Sequence, residues 1–251
     1  MWPGAVRRWH ASCSRAGRFG SQQFWESQYA IGKAPSEWFL SASLAAASTA
    51  EAFGAHERRY GSVGAYARVL HLGCGTSDLG STLVAALASE LRISARVMNV
   101  DSSPTAVATA LKAVGPLSQQ QQQMFRVWDA AGGTPPPAMP SPLFSCGPSA
   151  RYDLLVDKGT LDAFCFASEG TLVTYLAAVR ACLLAPSVEH GVPAMYVHYT
   201  DDPPEVRGEL FAAAFPATGE ERWCCACAVV EEEEDGGGDG GYYRYTVHHE
   251  P

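Results

Sequence analysis

Three aspartates and one glycine turn carry the chemistry that can be read from this chain. The apolar run Val69–Leu72 enters Gly73-Cys74-Gly75-Thr76-Ser77, and three later apolar runs end on Asp101, Asp129 and Asp157. Glycines at 73 and 75 permit a tight turn and leave main-chain N–H groups at a helix start open to a ligand. An aspartate closing the neighbouring strand can accept hydrogen bonds from both hydroxyls of a ribose, and Asp129 one strand further can reach an adenine amino group. Asp157, followed by Lys158 and Gly159, has two readings. Either it faces the reacting end of the ligand and an incoming cationic substrate, or Asp157 and Lys158 pair with neighbours and fix the loop. Singly, each acid also suits a helix cap or a solvated loop. Together, at the carboxyl edge of successive strands where open α/β sheets bind ligands, they favour a nucleoside without phosphates. A dinucleotide is disfavoured, because Asp78 stands where that fingerprint wants a third small residue, and its carboxylate repels phosphate.

The elements that must position these groups follow from pattern. Strands are expected at Arg68–Leu72, Arg96–Val100, Met124–Trp128, Asp153–Asp157, Ala194–Tyr199, Trp223–Val230 and Tyr242–His248. Helices are expected at Asp78–Leu91, Pro104–Val114, Thr171–Leu184 and Pro204–Ala214 between strands, with Ala42–Phe53, halted by Gly54, ahead of them. Alternating units of this kind make a mainly parallel sheet covered on both faces. The last two strands are joined by the acidic, glycine-rich stretch 231–241, which suits no crossover helix, so they form an antiparallel hairpin. The stretches 117–123, 131–150 and 231–241 read as solvated loop insertions without chemistry.

The chain of 251 residues, 47% hydrophobic with net charge −8, is long enough for one domain with a real core. Its charge is uneven: residues 1–25 hold Arg7, Arg8, Arg15 and Arg18 and no acid. The acidic remainder has no Lys/Arg stripe, so a nucleic-acid partner is not expected. No run reaches the roughly 20 apolar residues of a membrane span. The eight cysteines do not have the density or spacing of a secreted disulfide framework, and reduced thiols are the simpler reading. Cys224, Cys225 and Cys227 cluster, but no Cys/His spacing completes a zinc motif, and no metal is expected. Residues 1–23, arginine-rich and free of acid, read as a transit peptide or a basic tail, with a mitochondrial address favoured over a plastid or cytoplasmic location. The folded domain is then expected at 24–251, as a monomer.

With these residues in view, the sequence resembles the seven-strand S-adenosylmethionine-dependent methyltransferases, and within them the group that methylates protein lysines. The resemblance rests on Leu72-Gly73-Cys74-Gly75-Thr76-Ser77, on Val100-Asp101-Ser102-Ser103-Pro104, and above all on Asp157-Lys158-Gly159-Thr160-Leu161-Asp162-Ala163. The spacing of Trp25, Tyr29 and Trp38 is similar to an aromatic N-terminal segment of the elongation factor 1A lysine methyltransferases. Tyr199–Arg207 looks more like citrate synthase lysine methyltransferase. The fold implied is a Rossmann-like sheet in order 3-2-1-4-5-7-6, strand 7 antiparallel, with helices on both faces. The resemblance implies S-adenosylmethionine contacts at Trp25, Tyr29, Trp38, Gly73, Cys74, Gly75, Ser77, Asp101, Ser102, Asp129, Ala130, Asp157 and Lys158, with Asp157 catalytic. His71 departs from the acid many such enzymes carry two residues before the first glycine. The implied reaction is methyl transfer to a lysine of a protein such as citrate synthase. A small-molecule methyltransferase and a non-catalytic binding module of the same fold are the alternatives.

Overall fold

The computed structural model describes residues 18–114, 122–139, 152–184, 192–216, 222–230 and 241–250. In chain order the elements are α1 (Gln22–Ala30), α2 (Ala42–Tyr60), β1 (Tyr66–Leu72), α3 (Leu79–Leu91), β2 (Ser94–Asp101), α4 (Pro104–Ala113) and β3 (Gln123–Val127). They continue with β4 (Leu154–Lys158), α5 (Thr160–Cys165), α6 (Glu169–Leu184), β5 (Met195–Thr200), α7 (Pro204–Ala214), β6 (Arg222–Val230) and β7 (Tyr242–Glu250). The seven strands form one sheet in the order β3-β2-β1-β4-β5-β7-β6. Pairings among β1 to β5 are parallel, and β7 runs antiparallel to both β5 and β6. This is the expected order, including the terminal hairpin.

Alternation along the strands divides the core. Val69, Val97, Leu154, Val156 and Val197 pack beneath α2 and α3, together with Leu79, Leu83 and Leu87, which recur at helical spacing on α3. Leu70, Leu72, Met98, Leu155 and Tyr196 face the opposite way, against α6 and α7. Burial on both faces explains the nearly unbroken apolar strands. Local chemistry sets the helix starts: Ser21, Ser41 and Ser103 each accept a main-chain N–H as N-cap, and Pro104 occupies the first turn of α4.

Three expectations are corrected. Gly54 does not end α2, which runs on to Tyr60; a Cβ there would meet Leu91 Cδ2 at 2.7 Å, so this glycine serves close packing of α2 on α3. Gln123, assigned by composition to a solvated loop, is a buried residue of β3 that donates to Ser81 Oγ at 2.9 Å and accepts from Asn99 Nδ2. In the following insertion, Met139 is buried in the core and Tyr152 donates to the Pro137 carbonyl. The insertion 231–241 lies outside the described residues except Gly241, and residues 1–17 of the expected leader lie outside them too. No described helix is long and apolar enough to cross a membrane.

Candidate functional site

A cavity of about 280 Å³ opens at the carboxyl edge of β1 to β4. Its floor comes from the strand ends. Gly73, just past β1, has φ +56°, and a Cβ there would collide with the Thr160 side chain, whose hydroxyl donates to the Leu72 carbonyl at 2.9 Å. Only glycine suits both the backbone and the space. Asp101, at the end of β2, lines the cavity while 8% exposed. Its Oδ2 accepts the Gly75 N–H at 2.9 Å and its Oδ1 the Ser103 N–H at 2.8 Å. Burial raises the Asp101 pKa above the ordinary carboxylate value, although these N–H groups oppose the rise. Each oxygen keeps lone-pair capacity for a further donor. Ser102, Asp129 and Ala130 line the same cavity, and Asp129 Oδ1 is steadied by the Ala131 N–H at 3.0 Å.

The N-terminal segment forms the cover. Trp25, Tyr29 and Trp38 all line the cavity, with Trp25 and Trp38 ring centroids 5.3 Å apart and Trp25 and Tyr29 6.4 Å apart. Burial, then the nearby Asp101 charge, raises the Tyr29 pKa, so the hydroxyl stays protonated. Phe19, Gly20, Ser21 and Gln22 also line the cavity. The folded body therefore includes residues 18–23, which composition had assigned to the leader.

Two carboxylates that the sequence reading missed hold this cover down. Glu26 accepts from the Ser103 and Thr105 hydroxyls and, at 3.2 Å, from the Thr105 N–H, at the start of α4. These donors lower its pKa. Glu37 accepts from Ser77 Oγ at 2.8 Å, from the Asp78 N–H at 3.3 Å and from Lys158 Nζ. The only cue in the sequence was their proximity to the tryptophans. Glu37 also places an anion at the N-terminus of α3, where a dinucleotide fold would hold its pyrophosphate, so the structure adds a second obstacle to phosphate there.

The remaining candidates separate. Lys158 lines the cavity, but its Nζ is taken by Glu37 and, at 3.0 Å, by the Trp38 carbonyl. Cys74, Gly75, Ser77 and Asp157 are not among the cavity's lining residues. Cys74 is buried, and its thiol pKa is raised by that burial. Gly75 lies against the Tyr29 hydroxyl and anchors Asp101. Ser77 donates to Glu37.

Asp157 is fully buried, on the opposite sheet face from Lys158. It accepts from the Tyr175 hydroxyl at 2.5 Å, the Tyr196 hydroxyl at 2.8 Å and the N–H groups of Thr160 and Leu161, with His198 Nδ1 at 3.6 Å. Burial pushes its pKa up, but His198 and the two hydroxyls outweigh this and leave it lowered. Buried among these donors and outside the cavity lining, Asp157 has the contacts of the second reading, a loop-fixing residue whose carboxylate accepts the first N–H groups of α5. Asp162 of the same motif joins Arg207 and Thr200, and His198 Nε2 lies 3.6 Å from its Oδ2. His71 bonds Asn99 Oδ1 at 2.9 Å, and burial lowers its pKa to about 4; it too lies outside the cavity lining.

No protein-family model matches the chain, and no curated protein matches it. Solved structures do align. A TehB-like SAM-dependent methyltransferase from Corynebacterium glutamicum aligns at 12% identity and TM-score 0.45, over 91% of this chain and 95% of its own. The cyclase SpnF aligns at 13% identity and TM-score 0.48, over 79% and 80%. A magnesium protoporphyrin IX methyltransferase from Synechocystis with bound SAM aligns at 13% identity and TM-score 0.44, over 82% and 80%. Likeness at these values does not carry an activity or substrate across to this chain.

Proposed function

We propose that this chain is an S-adenosylmethionine-dependent methyltransferase whose acceptor is a lysine side chain of a protein. The observation that carries the reading is the single cavity uniting Gly73, Asp101, Ser102, Asp129 and Ala130 from three strand ends beneath Trp25, Tyr29 and Trp38. The residues fit the cofactor. Gly73 presents bare backbone at the cavity floor beside Thr160, Asp101 offers a carboxylate to ribose hydroxyls, and Asp129 and Ala130 line the side expected for adenine. Glu37 at the start of α3 suits a ligand without phosphates. When bound, the cofactor supplies an activated methyl group on a cationic sulfur.

The chain's own contribution is positioning and exclusion of water. The cover held by Glu26 and Glu37 closes the cavity with aromatic rings, which suit packing against the long aliphatic stem of a lysine. A lysine amine with a pKa of about 10.4 must lose its proton before attack, at a cost of roughly 4–5 kcal/mol at pH 7. Burial among the rings disfavours the ammonium form and reduces that cost. Gly159, Thr160 and Ala163 of the Asp157–Ala163 motif line the cavity beside these rings, and its two aspartates brace them from behind. The arginine-rich N-terminus supports a mitochondrial destination for the protein, and the lack of a basic stripe supports a protein rather than a nucleic-acid acceptor.

Calorimetry with S-adenosylmethionine, followed by transfer of tritiated methyl groups into mitochondrial extract, tests both parts. Binding followed by label in a protein band, one of citrate synthase size being the first candidate, supports the reading. Binding with label only in small molecules overturns the acceptor, and no binding overturns the cofactor.

A further inference from the structure

Away from the cavity, Cys224 and His248 are direct cross-strand partners on β6 and β7, and Glu250 lies two residues beyond His248 on the same face of β7. One ligand atom from each of the three lies within 4.8 Å of the others. The face packs against the end of α2, where Tyr60 organises it. The Tyr60 oxygen lies 2.8 Å from His248 Nε2 and 3.4 Å from Glu250 Oε1, and its one hydrogen can serve both contacts only if it points to Glu250 and Nε2–H donates to the Tyr60 oxygen. The tautomer of His248 that satisfies both contacts carries its proton on Nε2 and leaves Nδ1 as the lone-pair nitrogen. Nδ1 is buried without a hydrogen-bond partner, in a residue 7% exposed. A buried acceptor with nothing to accept from is costly, unless a Lewis acid takes the lone pair. A histidine whose second nitrogen donates to an outer partner is the usual arrangement of a metal ligand.

We propose that Cys224, His248 and Glu250 bind a zinc ion that ties the β6–β7 hairpin to the end of α2, with Tyr60 as the outer partner of His248. A thiolate, an imidazole and a carboxylate form a donor set that suits zinc over calcium or magnesium. Tetrahedral bonds of about 2.0–2.3 Å require the three donors to draw in by roughly 1 Å. Glu250 Oε1 also pairs with Arg59 at 3.3 Å, and Arg59 is mostly exposed, so it can turn to solvent as the cation binds. The sequence offered no such site, because consecutive strand residues face opposite ways. Of Cys224, Cys225 and Cys227, only Cys224 lies on the face of His248 and Glu250.

The test is titration of the full metal-free chain with zinc chloride, with cobalt(II) as a spectroscopic probe. Cys225→Ser/Cys227→Ser serves as background, to remove the neighbouring thiols. The expected result is one zinc per chain, a thiolate-to-cobalt charge-transfer band, and a higher unfolding midpoint with zinc. Cys224→Ser, conservative at a partly exposed position, should abolish the band. Tyr60→Phe should weaken zinc about 10- to 100-fold, as loss of an outer partner does. Absence of stoichiometric zinc overturns the proposal, as does zinc that Cys224→Ser retains or that disappears with Cys225 and Cys227. Circular dichroism of each variant separates lost binding from lost folding.

Discussion

Lys158 at the end of β4 and Glu37 of the N-terminal cover form an ion pair across 121 residues of sequence, with the Lys158 side chain 3% exposed and that of Glu37 31% exposed. Replacing Glu37 by Gln leaves a buried ammonium without its anion. Loss of a wholly buried partner costs about 3–5 kcal/mol, and solvent at Glu37 reduces that to about 1–3. Urea unfolding should show the loss, and adding Lys158→Met should recover at least half of it. An unchanged Glu37→Gln would mean the pair does not secure the cover.

Asp101→Asn should lower S-adenosylmethionine affinity about 10- to 100-fold, the weight of hydrogen bonds to a charged group. Calorimetry measures it, with the unfolding midpoint as control because Asp101 also holds the Gly75 and Ser103 N–H groups. Burial raises the Asp101 pKa. Wild-type affinity should therefore fall, on acidification, at a higher pH than an exposed aspartate would produce.

For Asp157→Asn the expectation is structural. A carboxylate with a lowered folded pKa stabilises the protein above its unfolded value of about 4, and that contribution disappears as pH falls through the lower folded value. The variant should lose about 1–3 kcal/mol at pH 7. Its deficit against wild type should shrink below about pH 4. Cofactor affinity at neutral pH should stay near wild type, since Asp157 is not a lining residue of the cavity. A large fall in transfer without a fall in stability would return Asp157 to a direct catalytic role.

Gly73→Ala combines a left-handed backbone with a collision against Thr160. Strain and overpacking together should cost about 2–5 kcal/mol, with loss of cofactor binding. Thr160→Ala in the same chain should restore the part due to collision and leave the part due to φ. Thermal denaturation of both variants separates the two.

The strand and helix alternation was legible because burial on both faces demands apolar strands and each crossover helix repeats its apolar residues at helical spacing. The hairpin was legible because 231–241 suits no crossover helix. Gly73, Asp101 and Asp129 were legible as a group because strand ends in a parallel sheet share one edge, a matter of topology and not of side-chain detail.

Side-chain direction and partnership belonged to the tertiary structure. Asp157 and Lys158 are adjacent in sequence, yet period-two alternation sends one to Tyr175 and Tyr196 and the other to Glu37. Which face receives which residue depends on the helices packed there. Glu26 and Glu37 carried no role in the sequence pattern and gained one only when the cover folded onto α4 and α3. Gly54 looked like a breaker until α3 packed against it, and Gln123 like low complexity until Asn99 and Ser81 supplied its partners. By itself the sequence determined the succession of the strands and the edge on which chemistry would gather. Contacts between residues distant in sequence decided which of the named groups face the cavity and which hold it together, because no local pattern encodes the partner across a packed interface.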